Sequence, residues 1–243
     1  LNNWGKNSAG AAIDGEVGLI ATNPYSAVYY PWGYTTDLNG RNIVVPPSHI
    51  MLRTIALSDS VSYPWFAPAG VRRGGVSNAS SVGYVTSDSG EFVTVALNQG
   101  QRDTLAITHV NPITYLAGAG LVAYGQKTRQ LVASSLDRIN VARLVIYLRY
   151  QLNVIAKPYI FEPNDTITRN QIKQQIEKLL LELVGQRALY DFLVVCDGSN
   201  NTPSRIDANE LHVDIAIEPV KAVEFIYIPL RLENTGGIAG LGT

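Results

Sequence analysis

Ile172-Lys173-Gln174-Gln175-Ile176-Glu177-Lys178-Leu179-Leu180-Leu181-Glu182-Leu183-Val184-Gly185 is the stretch that decides the fold. Ile172, Ile176, Leu179, Leu180 and Leu183 recur at three- and four-residue steps, the period of an amphipathic helix. The segment from Asn164 to Gly185 is therefore expected to be one helix, with Thr166 or Thr168 as cap and Gly185 as terminator. Its other face carries Arg169, Lys173, Gln174, Glu177, Lys178 and Glu182. Directly after it, Tyr190 to Cys196 is an apolar run of strand length. Asp197 to Pro203 is a polar turn, and Leu211 to Ile217 alternates, with Leu211, Val213, Ile215 and Ile217 on one side. Ala222 to Leu232 reads as a final strand before a glycine-rich tail.

Working backwards, Ile139, Leu144, Val145, Leu148, Leu152 and Ile155 predict a second long helix, capped by Asp137 or Ser135 and ending before Pro158. Leu121 to Thr128 and Phe92 to Leu97 read as strands, and Asp103 to Val110 as a short helix stopping before Asn111-Pro112. A helix from His49 to Leu57 starts after the Pro46-Pro47 elbow with Ser48 as cap. Val17 to Thr22 and Ala27 to Tyr30 are short strands. These elements make an α+β fold with α/β-like character, a mixed β-sheet flanked by helices in a C-terminal core, and a smaller strand- and turn-rich insertion. The expected division is a flexible lead-in at 1–15, a strand and helix segment with a Gly/Ser-rich insertion at 16–100, a core at 101–232 and a flexible tail at 233–243.

Composition narrows the function. The chain has 243 residues, 46% of them hydrophobic, which suffices for a substantial core. Nineteen basic and 20 acidic residues give a net charge of −1, which excludes the global basic field of a nucleic-acid binder. No apolar run reaches the roughly 20 residues of a membrane span, so no membrane insertion is expected. The single cysteine, Cys196, ends an apolar run, where a buried inert thiol is expected. Leu1 in place of methionine is what a fragment or processed form would show.

No catalytic constellation stands out. Gly118-Ala119-Gly120-Leu121-Val122-Ala123 matches a dinucleotide fingerprint, but that motif needs a strand before the glycines and a helix after them. Here Asn111-Pro112 precedes it and a strand follows. His49, His109 and His212 are scattered without metal-ligand spacing. Glu162, Asp165 and Glu177 read as loop and helix-start charge. Asn78-Ala79-Ser80 and Asn200-Asn201-Thr202 fit a glycosylation pattern that is common by chance. No enzyme activity, cofactor or metal is expected.

Seven short words occur in order: Tyr29-Tyr30-Pro31-Trp32, Val45-Pro46-Pro47-Ser48, Trp65-Phe66-Ala67-Pro68-Ala69-Gly70, Tyr124-Gly125-Gln126-Lys127-Thr128, Arg138-Ile139-Asn140-Val141-Ala142-Arg143-Leu144, Phe161-Glu162-Pro163-Asn164-Asp165 and Val195-Cys196-Asp197. In that order and at those separations the chain resembles the C-terminal half of a contractile phage tail sheath protein. The resemblance implies a structural subunit of the virion tail, made in the host cytoplasm, that polymerises around a tail tube and contracts to drive it through the host envelope. Implied partners are other sheath subunits, the tube protein, and baseplate and tail terminator proteins, with no nucleic acid.

In that family the inner face grips an acidic tube through a helix, which makes Arg169, Lys173 and Lys178 the first tube-facing candidates and Arg138 and Arg143 the second. The plain alternative for each is a solvated helix face with ion pairs such as Lys173 to Glu177. The family also links subunits by terminal arms that add strands to a neighbour's sheet. The matching segment is Glu224-Phe225-Ile226-Tyr227-Ile228, for which this chain's own sheet is an equally natural home. The family's N-terminal arm has no counterpart here, so this chain alone is expected to be monomeric. A phage-derived bacteriocin or related injection machine is an alternative within the class. Outside it stand an α/β enzyme with a pocket near His109, Asp137 or Asp197, and an adhesin built on residues 65–100.

Overall fold

A computed structural model describes residues 23–228. Nine strands and six α-helices follow one another: β1 (Val28–Tyr30), β2 (Trp32–Thr36), β3 (Asn42–Val45), α1 (Pro47–Val61), α2 (Gly70–Arg73), β4 (Ser81–Val85), β5 (Phe92–Thr94), α3 (Gln99–Ile107), β6 (Val110–Leu116), β7 (Gly120–Ala123), α4 (Ile139–Ala156), α5 (Thr166–Gly185), β8 (Leu189–Val195), α6 (Pro203–Asp207) and β9 (Asp214–Pro219). The expected α+β class holds. The expected strand Val17 to Thr22, the lead-in at 1–15 and the tail at 233–243 lie outside the described residues.

The strands form three sheets among the described residues. The first is mixed, with β1 parallel to β6 (Val28 opposite Val110) and β6 antiparallel to β7 (Ile113 opposite Ala123). Gly118 and Gly120 turn that hairpin at φ 80° and 77°, a region open to glycine at no steric cost. The run that mimics a dinucleotide fingerprint is thus a β-turn leading into a strand. The second sheet is antiparallel in the order β3-β2-β4-β5 and packs on α1, where Gly33 leaves room for the Ile50 side chain. The third is the β8–β9 hairpin, in register from Val195 opposite Asp214 to Phe192 opposite Ile217.

Three cores organise these layers, the smallest joining Tyr30, Leu97, Leu105 and Val110. Ile172, Ile176, Leu180 and Leu183 of α5 meet Leu144 and Leu148 of α4, Trp65, and Leu189 and Val194 of β8. The helical stripe read from sequence is therefore the floor of this core. Trp65 stacks on Tyr63 at 4.8 Å between centroids, and its indole N–H donates to the Gln186 carbonyl at 3.2 Å, fixing the Trp-Phe-Ala-Pro loop to the end of α5. The second core joins Tyr29, Ile50, Met51, Val82, Ile113 and Ile139, so strands from early in the chain share one interior with the start of α4.

Several expected boundaries move, each for a local reason. Helix α3 begins at Gln99 because Asn98 and Gln101 form a reciprocal capping box. It also ends earlier than Val110, which starts β6; Pro112 sits within that strand, and its carbonyl accepts from the Tyr124 N–H at 2.8 Å. At α1 the cap is Pro46, with Pro47 in the first helical position, where a missing N–H costs nothing; Ser48 lies inside the helix. Ser135 and Asp137 form a 3₁₀ turn capped by Ser134, and Arg138 precedes α4 without a side-chain cap. For α5 the cap is Asp165, whose Oδ1 accepts from the Thr168 N–H at 2.8 Å. That hydrogen bond holds the Asp165 carboxyl below the usual carboxylate range.

Candidate functional site

The connection between β8 and β9 is built from buried amides. The Asn200 side chain donates to the Val195 carbonyl at 2.8 Å, and Asn201 accepts from the His212 N–H at 2.7 Å. Both asparagines are buried, so the glycosylation pattern at Asn200 is a structural turn. Cys196 is buried beside them, and burial pushes its thiol up, away from the reactive thiolate.

After β9 the chain crosses to the start of α4. The Val220 N–H donates to the Ala188 carbonyl at 3.0 Å, and Asn140 reaches the Val220 carbonyl at 3.4 Å. Four residues on, Glu224 accepts from Arg138 through both carboxylate oxygens, at 2.6 Å from Nε and 2.9 Å from Nη2. Gln126 donates to the same carboxylate at 3.1 Å, and Asp137 holds Arg138 Nη1 at 2.9 Å. Burial works against the Arg138 charge, and the hydrogen bonds and fields of Glu224 and Asp137 outweigh it, so the guanidinium is held above its ordinary range.

Past this anchor the chain turns outward. Phe225, Ile226, Tyr227 and Ile228 are between 75% and 88% exposed. Residues 222–228 carry no strand, which corrects the expected final strand over its described part; its last residues lie outside the description. The sequence pattern is that of a strand, and no sheet among the described residues supplies its partner. Four adjacent large apolar side chains in water form a patch of the kind that marks interaction surfaces.

The predicted cations separate into two groups. Arg138 anchors Glu224, and Arg143 is paired with Asp59 at 2.5 Å. On α5, Lys173 pairs with Glu177 at 3.9 Å as the i, i+4 spacing predicts, Arg169 is half-buried with its Nη2 at 3.5 Å from Thr166 Oγ1, and Lys178 is exposed. The structure thus brings Arg138 and Glu224 together from the two sets of sequence candidates, and leaves the α5 cations on a separate face. Gln126 and Asn140 were missed, because nothing local in the sequence marks a side chain that meets its partner 98 or 80 residues away.

The histidines do not converge. His109 Nδ1 lies 3.0 Å from the Thr128 carbonyl, burial holds its pKa below the ordinary value, and His212 pairs with Glu210. Among the described residues no group of three His, Cys, Asp or Glu is placed to hold a metal ion. No helix among them is long and apolar enough to cross a membrane.

The anchor makes its own prediction. Glu224→Gln keeps the shape and removes the charge of a half-buried bidentate pair, and should cost about 1 kcal/mol in urea denaturation. Arg138→Met added to it should cost less than its own single loss, since the Glu224 pair is removed once and only the Asp137 contact is lost in addition. Fully additive losses would show that the two side chains act independently.

These features define a class: an α+β structural domain with a carboxylate-anchored, outward-facing apolar segment at its C-terminal side. Residues 132–233, which hold α4, α5, the β8–β9 hairpin and that segment, match the phage tail sheath C-terminal domain. The chain is 36% identical over 218 residues to the tail sheath protein of Vibrio phage KVP40, and 33% identical over 237 residues to that of Enterobacteria phage T4. These matches cover 89% and 97% of this chain and 31% and 34% of those proteins, so it spans about a third of their length. Its fold is that of the anti-feeding prophage helical sheath in its contracted state, with a TM-score of 0.73, 24% identity, and coverage of 88% of this chain and 57% of the other. Over nearly its whole length the chain is similar to phage tail sheath proteins, and its residues 132–233 match their C-terminal domain.

Proposed function

We propose that the protein is a structural, non-catalytic subunit of the contractile sheath of a long-tailed phage, assembled with other sheath subunits around a tail tube in the virion. The observation that carries this reading is the sheath C-terminal domain match over residues 132–233, which covers the anchored segment and both long helices. Residues 101–232 serve as the inner layer and residues 16–100 hold the outer insertion. Baseplate and tail terminator proteins meet the sheath at its ends. Contraction is a re-packing of subunits from an extended to a shorter, wider helix, with energy stored in packing and with no nucleotide or other cofactor required.

Within that assembly the segment Glu224 to Ile228 acts as an arm. Glu224 fixes its root to the body, and Phe225 to Ile228 add to a neighbour's sheet edge, gaining backbone hydrogen bonds and burying their side chains. Arg169, Lys173 and Lys178 on α5 meet the tube through polar contacts that can release, and Arg138 and Arg143 act from within the body. A second reading, the sheath of a phage-derived bacteriocin or related contractile injection machine, is supported by the likeness of fold to the anti-feeding prophage sheath.

Co-sedimentation with polymerised tail tube tests the tube-facing assignment. Lys173→Glu with Lys178→Glu should weaken binding roughly tenfold, on the order of 0.7 kcal/mol for each reversed charge. Unchanged binding would move the tube contact off α5.

A further inference from the structure

A second apolar feature lies away from the arm. Tyr25, Tyr29, Trp32, Met51, Leu52 and Ile146 line an open groove of about 570 Å3 between β1, α1 and the first half of α4. Its floor holds two donors without acceptors among the described residues. The Tyr29 side chain is 7% exposed and its hydroxyl has no hydrogen-bond partner; Arg143 gives Nη2 to Asp59 and leaves a buried Nη1 unpaired. Buried donors left unpaired are costly, so a groove of this kind suits an occupant with an apolar body and a neighbouring oxygen acceptor. Arg149 adds positive charge at the rim, lying 5.4 Å over the Tyr25 ring.

The complementary feature is on the same molecule, beyond the other end of α4. Phe161 is fully exposed and held at φ 75°, a conformation that L residues other than asparagine and aspartate seldom adopt. Ile160 beside it is exposed, and Glu162 follows with its carboxylate in solvent. The left-handed residue follows the turn in which the Glu162 N–H donates to the Tyr159 carbonyl at 3.2 Å, and that turn holds the Phe161 ring in water, where a docking contact would bury it. The 18 residues of α4 span about 27 Å, which separates this knob from the groove of its own chain.

We propose that Phe161 of one copy seats in the groove of a second copy, with Glu162 facing Arg143 and Arg149. Knob and groove are different surfaces, so the contact is head to tail and leaves a free knob and a free groove at the ends. Such contacts repeat from copy to copy, as a ring where the rotation closes and as an open helix where it does not, rather than ending in a two-fold dimer. The proposal rests on the reading that copies of this chain assemble, and adds a second link to the arm.

Disulfide trapping tests it apart from tube formation. Ile160→Cys, which keeps the Phe161 ring, and Leu52→Cys, both at exposed positions, are mixed at high concentration under copper–phenanthroline oxidation, with the unsubstituted chain and its buried Cys196 as control. The mixed cross-link should dominate well beyond the random proportion, and Glu162→Lys or Phe161→Ser in the Ile160→Cys partner should lower its yield several-fold. A random distribution of the three cross-links, or no mixed product while both variants keep the unsubstituted melting temperature, would overturn the proposal. Preferential linking of Leu52→Cys to a Phe225→Cys chain would overturn it as well, by giving the groove to the arm.

Discussion

Replacing Phe225, Ile226, Tyr227 and Ile228 together by serine should abolish sheath tube formation while leaving the folded subunit as stable as before. The two halves of that expectation have separate causes. In the subunit these side chains are already in water, so their loss removes little and the change in stability should stay within about 0.5 kcal/mol. In an assembled neighbour each would be buried, and a fully buried large apolar side chain contributes about 1.5–3 kcal/mol. Four of them amount to roughly 6–12 kcal/mol for each contact, enough to decide between assembly and its absence. Electron microscopy reads the first half and thermal unfolding the second. Undiminished tubes would remove the arm from the assembly mechanism; an unstable subunit would show that these residues pack on their own chain.

The largest expected loss of stability is at Leu180. Its side chain is 0% exposed and sits where α5 meets α4 and the β8–β9 hairpin. Leu180→Ala removes three carbons and leaves a cavity that helices anchored on both sides collapse only in part, so the cost is about 3–5 kcal/mol. Against a typical domain stability of about 5–15 kcal/mol that is a large share, readable as a shift in the urea midpoint. A loss below about 1 kcal/mol would mean that α5 is not clamped between the two elements. Leu181, one position on and exposed, provides the contrast: Leu181→Ala should be close to neutral.

The same helix shows how far sequence reasoning reaches. Its stripe, its length and its end at Gly185 were legible because burial on one face imposes a period that local sequence must obey. Its first residue was misassigned because Asp165, Thr166 and Thr168 are all competent caps, and only backbone geometry chooses among them. Helix α3 was shifted for a related reason: its Asn98 and Gln101 box lies outside the apolar pattern that located the helix. At Asn111-Pro112 the bias against helix before proline was real, yet the segment it pointed to is a strand paired on both sides by β1 and β7. Tertiary pairing decided there.

The site divides along the same line. Lys173 with Glu177 and the cationic face of α5 follow from spacing on one helix. Arg138 and Glu224 were each singled out from sequence for different roles, and their union could not be foreseen across 86 residues. The run of aromatic and β-branched residues from Phe225 to Ile228 marks a segment suited to a sheet without naming the chain that supplies the neighbouring strand. Phe161 gave no signal as a structural feature, because exposure and a left-handed backbone are visible only in three dimensions.

Assembly around a tail tube is tested most directly by negative-stain electron microscopy of a sheath polypeptide carrying this sequence, purified with tail tube protein. It predicts hollow, striated tubes of stacked subunits around the inner tube. Dispersed globular particles at every concentration of tube protein would contradict it.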